Sequence, residues 1–293
     1  MPKRRFTALL LALTLLFSLA ACDVGWLADP TVPASAFGGG LVVHFIDVGQ
    51  GDCELIGAGG RWMLIDGGER GSEDGIIKYL RRQGVERLDY VVATHPHSDH
   101  MGGLAYGVLE AFPVGTVIAP RFSPENMPTT QTYEKFLDAV GALVADGAKA
   151  EYAVPGRKYA LGGASVTILG PLCEDGKNYN NDSVVVRVET QNGAALFMGD
   201  AEKKVEKALL EQYGAGGGAG LRADLLKAGH HGSKTSSTED FLRVVMPKDV
   251  AISCGAGNSY GHPSPETLER CEALGIGVSR TDVEGTIQLT IDS

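Results

Sequence analysis

The 293-residue sequence predicts an α/β chain of the α+β kind, two mixed β-sheets flanked by helices, on three observations. Short apolar runs joined by glycine turns open the folded part, which is how an antiparallel sheet begins. After residue 72 the pattern changes to strand, loop and helix, and beyond residue 150 the same progression starts again. Apolar residues make up 44% of the chain and charged residues 21%, enough apolar surface for one large core and too little charge for a disordered chain.

The first 40 residues stand apart from that fold. Lys3, Arg4 and Arg5 precede an apolar run over 6–19, too short for an ordinary membrane span, and Leu19-Ala20-Ala21-Cys22 follows. This string resembles the lipobox of bacterial lipoproteins. The resemblance implies a signal peptide over 1–21, a lipid on Cys22 that anchors the chain to a membrane, and an extracytoplasmic location. Residues 22–40, with Pro30, Pro33 and Gly38-Gly39-Gly40, read as a flexible tether, and 41–293 as one folded domain.

Within that domain, 41–48, 53–56 and 61–65 read as strands, the first two joined by the turn Gly49-Gln50-Gly51-Asp52. Residues 72–83 have helical spacing through Ile76, Ile77 and Leu80, 88–94 form a strand, 101–112 a short helix and 116–119 a strand. A longer helix over 129–145 carries Phe136, Leu137, Val140 and Leu143 on one side. Strands return at 151–154, 165–169, 184–189 and 194–198, then a helix at 202–213 and a strand at 223–228. Ser237 or Thr238 caps a helix that runs to Val245, 250–253 is a strand, and Ser264 caps a helix opened by Pro265. Strands at 277–280 and 286–291 finish the chain. A division near residue 150 would separate the polar clusters described next, which argues against two independent domains.

Charge narrows the function classes. The formal charge is −10, and loss of Lys3, Arg4 and Arg5 with the leader makes it −13. An acidic surface without a long basic stripe disfavours nonspecific capture of nucleic acid, because lysines and arginines supply most of that affinity. Besides Cys22 there are Cys53, Cys173, Cys254 and Cys271, which allow three pairings. Cys53 and Cys254 sit in apolar, strand-like settings where a buried free thiol is the default.

Six of the seven histidines fall in three glycine-flanked loops, each after an expected strand. The stretch Thr94-His95-Pro96-His97-Ser98-Asp99-His100-Met101-Gly102-Gly103 packs three imidazoles and a carboxylate onto one turn. Buried without partners, those nitrogens would be expensive; a divalent cation collects them. The others lie in Gly229-His230-His231-Gly232-Ser233-Lys234 and Tyr260-Gly261-His262-Pro263. Loops at strand ends are where α/β folds assemble sites from distant segments. His44 reads as a half-buried strand residue, and Trp26 and Trp62 carry no functional reading.

With these motifs in view, the chain resembles the metallo-β-lactamase superfamily through His95-x-His97-x-Asp99-His100, the Asp66-Gly67 strand end, Gly199-Asp200 and the late histidine loop. The finer pattern, His44 to Asp52, Asn180-Asn181-Asp182-Ser183, His230-His231-Gly232-Ser233 and Tyr260 to Pro263, is similar to the C-terminal domain of the ComEC branch of competence proteins. The resemblance implies an αββα sandwich with two divalent metal ions, zinc or manganese, at one edge. His95 and His97 would hold the first metal, Asp99 and His100 the second, and Asp200 would bridge them. Either His230 or His231 would complete the second site; His231, beside Gly232, is preferred, leaving His230 toward substrate or the second shell.

By the same resemblance, Asp66 would be the strand-end carboxylate that orients the histidine turn, and Asn181 and Ser233 would lie in the second shell or contact substrate. Asp99 would orient the attacking water, while His262, Ser233 and Lys234 would contact a phosphoryl oxygen or protonate the leaving group. No histidine stands between His100 and His230, as one does in many superfamily members, so the first site is the weaker. The implied activity is that of a phosphodiesterase or nuclease, acting on DNA or on an envelope polymer, with lactam or thioester hydrolysis and non-enzymatic DNA capture as the other classes.

Overall fold

Period-two alternation fixes the first strand: β1 (Leu41–Phe45) buries Leu41, Val43 and Phe45 between the sheets. The structure, a computed structural model, describes residues 40–172 and 174–291. The expected signal peptide, Cys22, the tether to residue 39 and Cys173 lie outside the described residues. β1 pairs antiparallel with β2 (Glu54–Ala58), and β2 with β3 (Arg61–Ile65), the opening expected from the glycine turns. From β3 onward the sheet turns parallel, through β4 (Leu88–Val92), β5 (Val114–Ala119) and β6 (Lys149–Tyr152). Parallel neighbours need crossovers, supplied here by α1 (Glu73–Arg82), the helical segment that begins with α2 (Ser98–Gly103), and α3 (Gln131–Ala145).

The second sheet repeats the logic. β7 (Lys158–Leu161), β8 (Ala164–Ile168), β9 (Val186–Thr190) and β10 (Gly193–Phe197) are antiparallel; β11 (Leu225–Lys227), β12 (Asp249–Ile252) and β13 (Gly277–Arg280) then add in parallel. Their crossovers are α4 (Lys203–Tyr213), α5 (Glu239–Val245) and α6 (Pro265–Ala273), while β14 (Ile287–Ile291) returns to pair with β1 in the first sheet. The middle core holds Phe45, Met63, Ile65, Val186 and Phe197 between the sheets. Leu64, Ile76, Leu80 and Phe136 seal the first sheet against its helices, and Leu196, Val205, Leu209 and Phe241 seal the second. Each such side chain removed from water contributes about 1.5–3 kcal/mol. The result is the expected αββα sandwich.

Some expectations need correction. The helix expected over 101–112 is broken: α2 gives way at Leu104 to a wider π-type turn ending at Val108, followed by the short turn Leu109–Ala111. β7 and a helical turn at Thr281–Glu284 were not anticipated. His44 is buried, 2% exposed, with Nδ1 2.9 Å from the Tyr79 hydroxyl, not half-buried. The Thr238 hydroxyl caps no helix amide; it donates to Glu206 of α4. Ser264 does cap α6, accepting from the Thr267 amide, with Pro265 in the first turn. Cys53, Cys254 and Cys271 are buried free thiols. Among the described residues, no helix is long and apolar enough to cross a membrane.

Candidate metal centre

The C-terminal ends of β3, β4, β10, β11 and β12 open onto one edge of the sandwich, and the polar loops converge there. Close backbone approach makes this possible. A Cβ on Gly51 would lie 2.3 Å from the Asp99 carbonyl oxygen, and one on Gly103 only 2.1 Å from that of Gly67. Any other residue would push the His95–His100 turn away from its supports. The later loop holds His230 and His231 at φ 47° and 52°, left-handed values that disfavour side chains with a Cβ. Such a pair persists where its surroundings over-determine it.

Four groups meet at what we call the buried pole. The His231 Nε2 is 3.2 Å from Asp99 Oδ2 and 3.5 Å from Asp200 Oδ1, and His100 Nε2 is 3.2 Å from the same Asp200 oxygen and 4.0 Å from Asp99 Oδ2. His100 Nε2 and Asp200 Oδ1 are buried with no hydrogen-bond partner. Partners on the far side fix both rings. Nδ1 of His100 donates to Asp66 Oδ2 at 2.7 Å, and Nδ1 of His231 donates to the Ser253 carbonyl at 2.9 Å with Asp52 Oδ1 at 3.1 Å. Because carboxylate and carbonyl only accept, each Nδ1 holds a hydrogen and each Nε2 faces the pole, where its own proton must leave before its lone pair can take a cation.

The open pole lies on the other side of Asp200. His95 Nε2 is 2.9 Å from His97 Nδ1 and 3.7 Å from Asp200 Oδ2, and His230 Nε2 is 3.8 Å from that oxygen. Here the backing is less direct. His95 Nδ1 donates to the Thr94 hydroxyl at 3.1 Å, which donates to Asp66 Oδ2 at 2.6 Å, and His230 Nδ1 faces Glu202 Oε1 at 3.2 Å. His230 keeps 25% of its side chain exposed, against 2% for His231.

Charge follows this geometry. Burial opposes a charge on His100, but Asp200, Asp66 and Asp99 overcome it and raise its pKa well above 6.5; the same contest lifts His231 to about 10. Burial would raise Asp200, yet His231 and His100 hold it well below the usual range. At the open pole, burial and the neighbouring His100 push His95 well below 6.5. His262, half-buried near both late histidines, falls to about 4. The donor set is imidazole and carboxylate, with orphaned polar atoms of His100 and Asp200 at the buried pole, and it fits a divalent transition-metal ion. Ligand-type atoms of His95, His97 and Asp200 lie within 4.8 Å of one another, as do those of Asp52, His100, Asp200 and His231. We place Asp52 behind the pole, because its contacts are with the Nδ1 faces and with Lys227 Nζ at 2.7 Å.

Asp52 and Lys227 were missed in the sequence. Asp52 reads as a turn former in a glycine loop, and Lys227 as an ordinary strand end. Lys227 is 1% exposed, and its contact with Asp52 ties the second sheet to the first directly behind the pole. Asp66, His95, His97, Asp99, His100, Asp200, His230 and His231 are brought together as the motif suggested, with His262 beside His230 at a ring separation of 5.2 Å. Three candidates lie elsewhere. The Ser233 hydroxyl pairs with that of Thr235, Lys234 projects into solvent, and Asn181 donates to Asp175. None of the three lines the cavity; Asn180, its Oδ1 unpartnered, does. That cavity, about 390 Å³, includes Gln50, Asp99, Asn180, Tyr260 and His262 in its wall and has no lysine or arginine there. A larger one of about 790 Å³, against α3, contains none of the histidines.

Comparison with known proteins agrees with this geometry. The family model described as the metallo-beta-lactamase superfamily matches residues 46–256. The ComE operon protein 3 of Bacillus subtilis is 31% identical over 264 residues, covering 84% of this chain and 32% of that protein. The competence protein ComA of Neisseria gonorrhoeae is 33% identical over 245 residues, covering 83% and 31%. The chain thus spans about a third of the length of these curated relatives. Among solved structures, the metallo-beta-lactamase fold protein YhfI of Bacillus subtilis superposes with a TM-score of 0.55 at 11% identity, over 86% of this chain and 99% of that one. At that identity the likeness is one of fold.

Proposed function

We propose that this chain, which belongs to the metallo-beta-lactamase superfamily, is a metal-dependent phosphodiesterase that acts on nucleic acid outside the cytoplasm, tethered through lipid on Cys22. The observation that carries the reading is the convergence of His100 Nε2, His231 Nε2, Asp99 and Asp200 on one point, two of the atoms being buried without partners. Competence relatives favour nucleic acid as the substrate. Two divalent ions, zinc or manganese, would supply Lewis acidity toward a phosphoryl oxygen and lower the pKa of water.

The chain's own groups do the rest. His95, His97, His230 and Asp200 would hold the first ion, and Asp99, His100, His231 and Asp200 the second. Asp66 and Asp52 hold the rings in the tautomer that presents Nε2. Asp99, on the cavity wall, is placed to orient the water that attacks phosphorus. His262, with its pKa near 4, is uncharged at neutral pH; its unpartnered Nδ1 serves as a hydrogen-bonding group toward a phosphoryl oxygen.

Incubating the purified full-length chain with manganese or zinc, and with labelled DNA or bis-p-nitrophenyl phosphate, tests the reading. Cleavage of both, abolished by EDTA, is the expected outcome; no cleavage of either by metal-loaded protein overturns it. The absence of lysine and arginine from the cavity wall favours a second reading, an esterase of envelope phosphodiesters such as phosphorylcholine-bearing polymers. Hydrolysis of p-nitrophenylphosphorylcholine without cleavage of DNA would select it. Release of the protein from membranes by Cys22→Ala tests the anchor.

A further inference from the structure

Four large apolar side chains stand out as exposed among the described residues: Val154, Met246, Tyr260 and Val283. Of these, Tyr260 alone lines the cavity at the metal centre, and 70% of it faces solvent. Its exposure is built in. The Asn258 side chain organises the whole 255–262 loop, its Oδ1 accepting from the amides of Tyr260 and His262 at 3.1 and 3.0 Å and its Nδ2 donating to the carbonyls of Gly255 and His262. The Gly255 amide in turn donates to the Gln50 side chain, which docks the loop on the β1–β2 turn. The phenol ring lies nearly parallel to the His262 ring, 21° between planes and 5.8 Å between centroids. A ring held this way at a cavity mouth is a flat, preorganised π surface.

The wall explains why such a surface is needed. A phosphodiester presents one negative charge at the scissile phosphate, where the metal centre receives it, and further charges along its backbone. No lysine or arginine in the wall meets those, and the chain as a whole is acidic. Binding of anything beyond the scissile group therefore rests on uncharged contacts. Bases have a π face whatever their identity, and stacking one on an aromatic side chain is a sequence-tolerant source of affinity.

We propose that Tyr260, backed by His262, is a stacking subsite for one unpaired nucleobase next to the scissile phosphate, so that the site takes single-stranded nucleic acid or a frayed end. The assignment rests on the phosphodiesterase reading above and names its substrate more closely.

The test compares kcat/KM for thymidine 5′-(p-nitrophenyl phosphate) and methyl p-nitrophenyl phosphate, which share a leaving group and differ in the base. The full-length, manganese-loaded chain is measured beside Tyr260→Ala and Tyr260→Phe. In Tyr260→Ala the preference for the nucleotide ester falls by about 5- to 150-fold, the range that one base stacked on one ring spans, and Tyr260→Phe retains it. An unchanged preference in Tyr260→Ala overturns the subsite. So does a loss that appears on p-nitrophenylphosphorylcholine in place of the nucleotide ester, since the ring then meets a quaternary ammonium.

If wild type hydrolyses neither ester, the phosphodiesterase reading falls by itself. The subsite is then judged by the anisotropy of labelled oligothymidylate and oligouridylate. Weaker binding by Tyr260→Ala supports it, equal binding by wild type and variant overturns it, and a loss confined to one polymer tells DNA from RNA.

Discussion

The two poles share Asp200 and differ in what stands behind their histidines. At the buried pole, Asp66 and the Asp52–Ser253 pair meet the imidazoles directly, and Lys227 locks Asp52 in place. At the open pole, His95 reaches Asp66 only through the Thr94 hydroxyl, and His230 leans on a partly exposed Glu202. Rings braced by acceptors lose little freedom when they take up a metal, whereas loosely braced ones must be ordered first. On the two-ion proposal, the buried pole is expected to bind the tighter and the open pole the weaker.

Removing the shared carboxylate tests the comparison most severely. Asp200→Ala is expected to lose metal from both poles by elemental analysis and to lower turnover by more than the ~10–100-fold that an orienting partner is worth. One full metal equivalent retained would break the idea of a shared oxygen pair. Next in size, Lys227→Met takes from the buried Asp52 the cation nearest to it, and a loss of about 3–5 kcal/mol in urea unfolding is expected. The double variant Asp52→Asn/Lys227→Met should recover much of that loss. Asp66→Ala should weaken metal binding at the buried pole by about 10–100-fold in calorimetry, with a smaller change at the open pole, where Asp66 acts through Thr94. Equal losses at both would erase the distinction.

Asn180→His should tighten the open pole alone, by placing an imidazole where the cavity wall has an unpartnered amide oxygen. The smallest effect is a difference in pH response of the metal-free protein. His231, raised to about 10, contributes stability that is complete below its ordinary 6.5 and lost as the pH climbs toward and through 10. His95, depressed well below 6.5, does the reverse: its contribution is present above 6.5 and lost on acidification. Melting temperatures of His231→Ala and His95→Ala should accordingly flatten opposite limbs of the pH profile.

Much of this was legible from residue types and spacing. Short apolar runs between glycine turns placed β1 to β3, helical spacing placed α1 and α3, and histidines clustered after strands marked the edge where the site forms. What escaped depends on direction in space. Ser233 and Lys234 follow His231 after a single glycine, yet the turn carries the Ser233 hydroxyl to Thr235 and the Lys234 chain to solvent. Asn180 and Asn181 are neighbours with opposite aims, one at the cavity and one at Asp175. Asp52 and Lys227 acquire meaning only once the two sheets are face to face. β7 was missed because it is only four residues long, Lys158–Leu161, and Ala160 on its exposed side blurs an alternation that the folded strand does show.

The Lys227–Asp52 pair also bears on how the chain reaches its folded form. It joins the end of β11 in the second sheet to the β1–β2 turn of the first, and the Asp99–His231 contact beside it closes a sequence separation of 132 residues. Such contacts are entropically late, since every intervening segment must settle before they are gained. A cation met by the unfolded polymer would find the His95–His100 turn but not the groups that complete it, so it has little to nucleate. Once the sheets have docked, the same cation would oppose their separation, and its stabilising effect would fall on the rate of unfolding rather than on the rate of folding.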